Sequence, residues 1–338
     1  MVREYRKYIA ESRSLVYVST FLVILLRGGF LLTADYRIED ANDIALALRF
    51  PFLFENPYAL FLCSTALTVL IALQLAYLND KYALIRGKTS LPYVFALLLL
   101  SVFPDSVYCI SPYVGIIVVL SATHVLFVSY HQARAARQAF YIGFLLGAAG
   151  LVFHGLLFYL ILFWLGFSMM RSFGFKAFLA SLFALGMVCW LKLSYMAYMQ
   201  GTDCLPEKFA YGWSDFDDWG FLAVEKVKSA ALAAIYAFAV LVVLADSFVN
   251  KFNDKMQVRT NLSFLNRLLL FSLALYLFHI QYKSINLIIA LVISGFILAH
   301  FFALANRRWK VYFFIVLVAL YFANYAWTII SLLKPEFL

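Results

Sequence analysis

Read from end to end, the chain alternates long apolar stretches with short polar joints. Apolar residues dominate 15–33, 58–78, 91–107, 113–130, 175–197, 227–245, 262–278, 285–304 and 311–333. Most of these approach the roughly 20 residues a helix needs to cross the hydrocarbon of a bilayer. A further stretch, 139–170, is too long for one crossing and short for two, and His154-Gly155 stands at its centre. That pattern predicts a tight hairpin of two short helices. The expected fold is all-α: a polytopic transmembrane helix bundle of about ten or eleven helices in a single integral membrane domain, 1–338.

Composition strengthens the reading. Apolar residues make up 65% of the chain and charged residues 13%, against roughly 45–50% and about 25% in a soluble domain. A water-soluble fold of this length would lack the charge to cover its surface, whereas lipid accepts an apolar exterior. The net charge of +9 does not point to nucleic acid, because the basic residues are dispersed in small clusters between apolar stretches. Those clusters report orientation. With the amino terminus in the cytoplasm, eighteen of the 27 basic residues fall in cytoplasmic segments, and thirteen of the 18 acidic residues fall outside, as the positive-inside rule expects of the basic ones. The carboxyl terminus is then outside. Arg3, Arg6, Lys7 and Arg13 precede the first apolar stretch, and its exit, Arg27-Gly28-Gly29, lacks a small-x-small cleavage site, so an uncleaved signal anchor is expected.

Two outside loops exceed a simple turn, 34–57 and 198–226. In the first, 40–50 reads as a short amphipathic helix at the interface, with Asp35, Glu39, Asp40 and Asp43 gathered toward its start. Clustered carboxylates can supply a general base or oxygen ligands for a cation, and they also serve as helix caps and dipole partners. Their spacing matches no metal motif. The second loop interleaves Asp215, Asp217 and Asp218 with Trp213, Phe216 and Trp219. Aromatic faces beside carboxylates can hold a sugar, and Trp also settles at the headgroup level as an interfacial belt.

Ionisable residues at membrane depth are costly enough to count as functional candidates. Arg27 lies in the first apolar stretch and Lys192 in the stretch 175–197. Either can meet the phosphate of a lipid-linked substrate, or snorkel to the headgroups. His154 is a third candidate, against the plainer reading of a capped turn. Gly143 and Gly147 form a GxxxG pair, which in one helix signals close packing on a neighbour. No paired-histidine metal motif, phosphate loop, GxSxG or dinucleotide fingerprint occurs, so no metal site is expected and the cofactor, if any, is unknown from the sequence.

From 78 to 193 the order is a charged loop (NDKYALIRGKTSLP), a helix ending in FPDSVYCISP, a helix closing on YHQARAARQ, the hairpin AFYIGFLLGAAGLVFHGLLFYLILFWLGFSMMR, and another helix. This order resembles an uncharacterised family of bacterial polytopic inner-membrane proteins. More distantly, it is similar to the membrane core of the GT-C glycosyltransferases, which use polyprenyl-phosphate-linked sugars. The resemblance covers about a third of the chain. It implies a place in the inner membrane, a polyprenyl-phosphate-linked sugar as partner, and an acidic residue of the first outside loop in catalysis. The loop of this chain that matches holds Asp35, Glu39, Asp40 and Asp43. The chain departs from the GT-C pattern in being short, in lacking a soluble carboxyl-terminal domain, and in having no Asp-Glu pair directly after the first helix.

Three functional classes fit these features. One is a GT-C-like factor in envelope lipid-linked glycan biogenesis, with Arg27, Lys192, His154, Trp213, Asp217 and Trp219 binding substrate and the first-loop carboxylates catalysing. The others are a transporter, which would show inverted repeats and broken helices at the midplane, and a non-catalytic membrane component.

Overall fold

The structure, a computed structural model, describes residues 5, 9, 12, 14–33, 43, 46, 50–87, 89–101, 107–132, 134–200, 240–241, 255–278, 282–305 and 308–333. Among the described residues all regular structure is helical. In chain order the helices are α1 (Ser14–Thr33), α2 (Pro51–Phe54), α3 (Pro57–Tyr82), α4 (Leu91–Leu100), α5 (Ser111–Val128) and α6 (Ala136–Gly150). After a 3-10 turn (His154–Phe158) come α7 (Tyr159–Met169), α8 (Phe175–Gln200), α9 (Met256–Phe278), α10 (Lys283–Ala303) and α11 (Arg308–Leu333). Seven of them, α1, α3, α5, α8, α9, α10 and α11, are long and apolar enough to cross a membrane. The polytopic helix bundle expected from the apolar stretches is what forms.

Local chemistry sets the boundaries. Helix α3 opens on Asn56, whose side chain accepts from Tyr58 N at 2.9 Å, followed by Pro57, whose fixed φ suits the first turn. It closes at Ala83, in the left-handed region at φ 46°, where Asn79 Oδ1 accepts from Ile85 N at 3.1 Å. In the loop 34–57 the described residues Asp43 and Leu46 are helical and Phe50 N donates to Leu46 O at 2.9 Å, where a short helix was expected. Among the described residues of 91–107 the helix α4 runs for ten residues, Leu91–Leu100, about 15 Å of rise, where a full crossing was expected. A proline at position 104 has no N–H for the carbonyl of Leu100, so the helix cannot be carried through by its usual bonds. The stretch 227–245 lies outside the described residues apart from Val240 and Leu241, which are helical.

The chain forms two compact units, the first comprising Met1–Tyr113, Val224–Val258 and Leu291–Leu338, the second Val114–Ala223 and Arg259–Ala290. In the first, Phe95 stacks on Phe302 with ring centroids 5.7 Å apart, and Phe314 meets Phe302 edge-on at 5.3 Å. Tyr5 closes this cluster, its hydroxyl donating to Phe302 O at 3.2 Å. Burial of that phenol pushes its pKa well above the usual tyrosine value.

The second unit contains the predicted hairpin. His131 N donates to Met170 O at 3.0 Å and the Ser129 and Ser172 hydroxyls meet at 3.2 Å. The end of α7 therefore returns to the chain just before α6, and the pair runs out and back. Helix α6 lies along α8 through the GxxxG glycines: a Cβ at Gly143 would stand 2.4 Å from Ser181 O, and one at Gly147 would meet Val188 at 3.5 Å. Close backbone approach of this kind supplies the dispersion contacts that hold helices together where water provides no driving force.

Candidate functional site

Arg27 is fully buried in α1, six residues before the last residue of the helix, Thr33. An arginine at the centre of a spanning helix costs about 2.5–3.5 kcal/mol even on the mildest scale. Its surroundings offset that cost. Nη2 donates to Ser64 Oγ at 2.8 Å, Nε to Thr65 Oγ1 at 3.1 Å, and Nη1 to Tyr113 OH at 3.2 Å. Each charge-assisted bond contributes about 1.5–3 kcal/mol. The Tyr113 ring also lies 5.9 Å from the guanidinium carbon, at the edge of cation–π range. Nη1 further reaches Leu100 O at 3.5 Å, the carbonyl that Pro104 cannot serve. The short α4 and the buried arginine thus answer each other: the helix end exposes an acceptor and Arg27 faces it.

Asp43 is the second buried charge, 1% exposed. Its Oδ1 accepts from Ile110 N at 3.1 Å, Ser111 N at 2.8 Å and Ser111 Oγ at 2.7 Å. These are the donors at the start of α5, so Asp43 caps that helix from 68 positions away in sequence, with the helix dipole favouring its negative charge. The dipole partnership expected for the first-loop carboxylates is therefore made, at Asp43, with another helix than its own. Asp43 binds Ser111 and Arg27 binds Tyr113, which places both charges on one turn of α5.

Helix α11 completes the surroundings. Tyr325 OH donates to Leu26 O at 2.9 Å and lies where a Cβ at Gly29 would stand, 2.3 Å away. One turn earlier, the Tyr321 hydroxyl is buried with no hydrogen-bond partner among the described residues.

The remaining sequence candidates fall elsewhere. Lys192 is half-buried in α8 of the second unit, between the exposed Leu191 and Tyr195 side of the helix and its end, a position consistent with snorkelling. His154 opens the 3-10 turn of the hairpin, its Nδ1 3.4 Å from Tyr282 OH, while the Tyr282 ring packs on Gly155 so closely that a Cβ there would stand 2.7 Å from it. Asp35, Glu39, Asp40, Trp213, Asp217 and Trp219 lie outside the described residues.

Sequence reading missed Ser64, Thr65, Tyr113, Tyr321 and Tyr325. Two signals could have found some of them. Ser64-Thr65 is a hydroxyl pair inside an apolar run, and Tyr321 and Tyr325 are four apart, hence on one face of α11. Compared with known protein families, curated proteins and solved structures, this chain matches none of them.

Proposed function

We propose that this multi-pass membrane protein handles a phosphate-bearing, lipid-linked glycan in envelope biogenesis, as a factor similar to the GT-C glycosyltransferases. In this reading it sits in the bacterial inner membrane with its amino terminus in the cytoplasm, and loops 34–57 and 198–226 face outward. The observation that carries it is the convergence of Arg27 and Asp43 on the first turn of α5. A cation kept at membrane depth is costly enough to mark a functional region, and Asp43 ties the acidic first loop to the turn that Arg27 holds. Asp43 acts as a positioning residue, because its Oδ1 already accepts three bonds. Asp35, Glu39 and Asp40 are then the carboxylates left for chemistry on the sugar.

Single Asp35→Asn, Glu39→Gln and Asp40→Asn variants test this in a strain lacking the chromosomal copy. At least one is expected to abolish the envelope-glycan phenotype at unchanged protein level; full complementation by all three would end the catalytic reading. Reporter fusions in 79–90 and 198–226 are expected in opposite compartments, and a shared compartment would overturn the orientation. The cap made by Asp43 favours a second reading, a non-catalytic membrane component, in which Asp43→Ala lowers stability and the other three substitutions do nothing.

A further inference from the structure

The hairpin of the second unit closes on a patch of positive charge. His131 N donates to Met170 O at 3.0 Å and the Ser129 and Ser172 hydroxyls meet at 3.2 Å, so the backbone at Arg171 is held beside residues 129–131. Helices α6 and α8 run side by side in the same direction, with Gly143 against Ser181 and Gly147 against Leu185 and Val188. That register sets the first turn of α6, with Arg137, level with Lys176 at the start of α8. Arg134, Arg137, Arg171 and Lys176 are all exposed. Residues 114–202 and 259–290 contain no Asp or Glu, so the described residues of this unit offer these four cations no carboxylate.

Two features indicate where the countercharge comes from. Helix α5 ends at Val128 and α8 begins at Phe175, and both are long and apolar enough to cross a membrane. The patch therefore stands where the chain leaves the hydrocarbon. Between Arg171 and Lys176, Phe173 and Phe175 are 48% and 74% exposed. Bare phenyl rings alternating with basic groups suit the boundary between acyl chains and headgroups, where each side chain finds its own solvent. A soluble anion or an acidic protein would leave the rings unanswered.

The backbone agrees. Arg171 lies in the left-handed region at φ 54°, which glycine enters freely and other residues do not. Glycine is the usual residue for closing a helix in this way; arginine adds an exposed guanidinium. At the start of α6, Ala135 supplies no side-chain cap, which leaves the first-turn N–H groups to be met from outside the helix.

We infer that the closed end of the hairpin binds the phosphate of an anionic phospholipid headgroup, with Arg171 and Lys176 as its main contacts and Phe173 and Phe175 among the acyl chains. Arginine supplies bidentate contact to phosphate and lysine a point charge. The inference goes beyond the glycan reading, uses none of its residues, and holds for either orientation of the chain.

The purified full chain in detergent micelles would be titrated with phosphatidylglycerol, phosphatidylcholine and inorganic phosphate. Native mass spectrometry would count bound lipid, and the melting temperature would report stability. Phosphatidylglycerol is expected to bind more tightly than phosphatidylcholine and to raise the melting temperature, and inorganic phosphate to do neither. Arg171→Gly and Lys176→Gln are each expected to weaken phosphatidylglycerol about fivefold, the contribution of one basic residue near an anionic surface. Arg171→Gly also relieves the left-handed backbone, so without lipid it is expected to melt no lower than the parent, which separates binding from folding. Arg308→Gln, which removes an exposed charge from the first unit, is expected to leave binding unchanged. Equal binding of the two phospholipids, equal stabilisation by inorganic phosphate, equal weakening by Arg308→Gln, or unchanged affinity in both Arg171→Gly and Lys176→Gln overturns the assignment.

Discussion

Arg27→Ala is expected to destabilise the first unit by about 1–3 kcal/mol, the range for taking the partner from buried hydrogen-bonding groups. Two effects act together. The substitution removes the bonds to Ser64, Thr65, Tyr113 and the Leu100 carbonyl, and leaves the volume of a large, fully buried side chain unfilled. Thr65 and Ser64 recover part of the loss, since hydroxyls in helices bond backwards to their own backbone; Ser64 Oγ already donates toward Val107 O at 2.5 Å or Phe61 O at 3.1 Å. Arg27→Met keeps most of the volume and removes the charge, so it is expected to fall between Ala and the parent. Arg27→Lys keeps the charge but presents a point cation where a planar fork serves three hydroxyls, and it is expected to lose stability as well. Thermal unfolding in micelles, followed by tryptophan fluorescence, measures the series. An alanine variant within about 1 kcal/mol of the parent would mean the bonds around Arg27 contribute little.

The second large effect is expected at Gly143. A methyl group there meets Ser181 backbone atoms, O at 2.4 Å and Cα at 2.9 Å, which cannot swing aside. Gly143→Ala must therefore push α6 from α8, at a cost of about 1–3 kcal/mol, and Gly143→Leu more. Gly147→Ala meets only the Val188 side chain at 3.5 Å and Leu185 Cα at 3.7 Å, ordinary contact, and gains helix propensity of about 0.8–1 kcal/mol. It is expected to be neutral or stabilising. The contrast matters because the two glycines are indistinguishable as a GxxxG motif. Equal melting temperatures for the two alanine variants would contradict the packing described here.

What could be read from the chain alone divides along a physical line. Hydropathy reports depth in the membrane, so the spans, the hairpin around His154 and the close approach at Gly143 were legible. It does not report which way a helix faces, because lipid tails are as apolar as a protein interior. Helix α10 has 89% of its most apolar stretch buried and α11 none, yet both read as equally good crossings. The shortness of α4 hung on Pro104, visible in sequence but easily absorbed into an apolar run. Arg27 was legible as an anomaly, whereas the hydroxyls that hold it come from α3 and α5, 37 and 86 positions away. The Asp43 cap was invisible for the same reason: capping rules look at neighbours in sequence, and Asp43 serves a helix 68 residues on.

Everything proposed for the site depends on Arg27 and Asp43 belonging to one buried polar arrangement, joined through residues 110–113. A double-mutant cycle on unfolding free energy, with Arg27→Met, Asp43→Asn and the pair, measures that directly. Sharing one helical turn, they are expected to show a coupling of about 0.5–3 kcal/mol, the range for residues in one network. Additivity to within about 0.3–0.5 kcal/mol, the behaviour of distant sites, would show two independent structural contacts and contradict a common site.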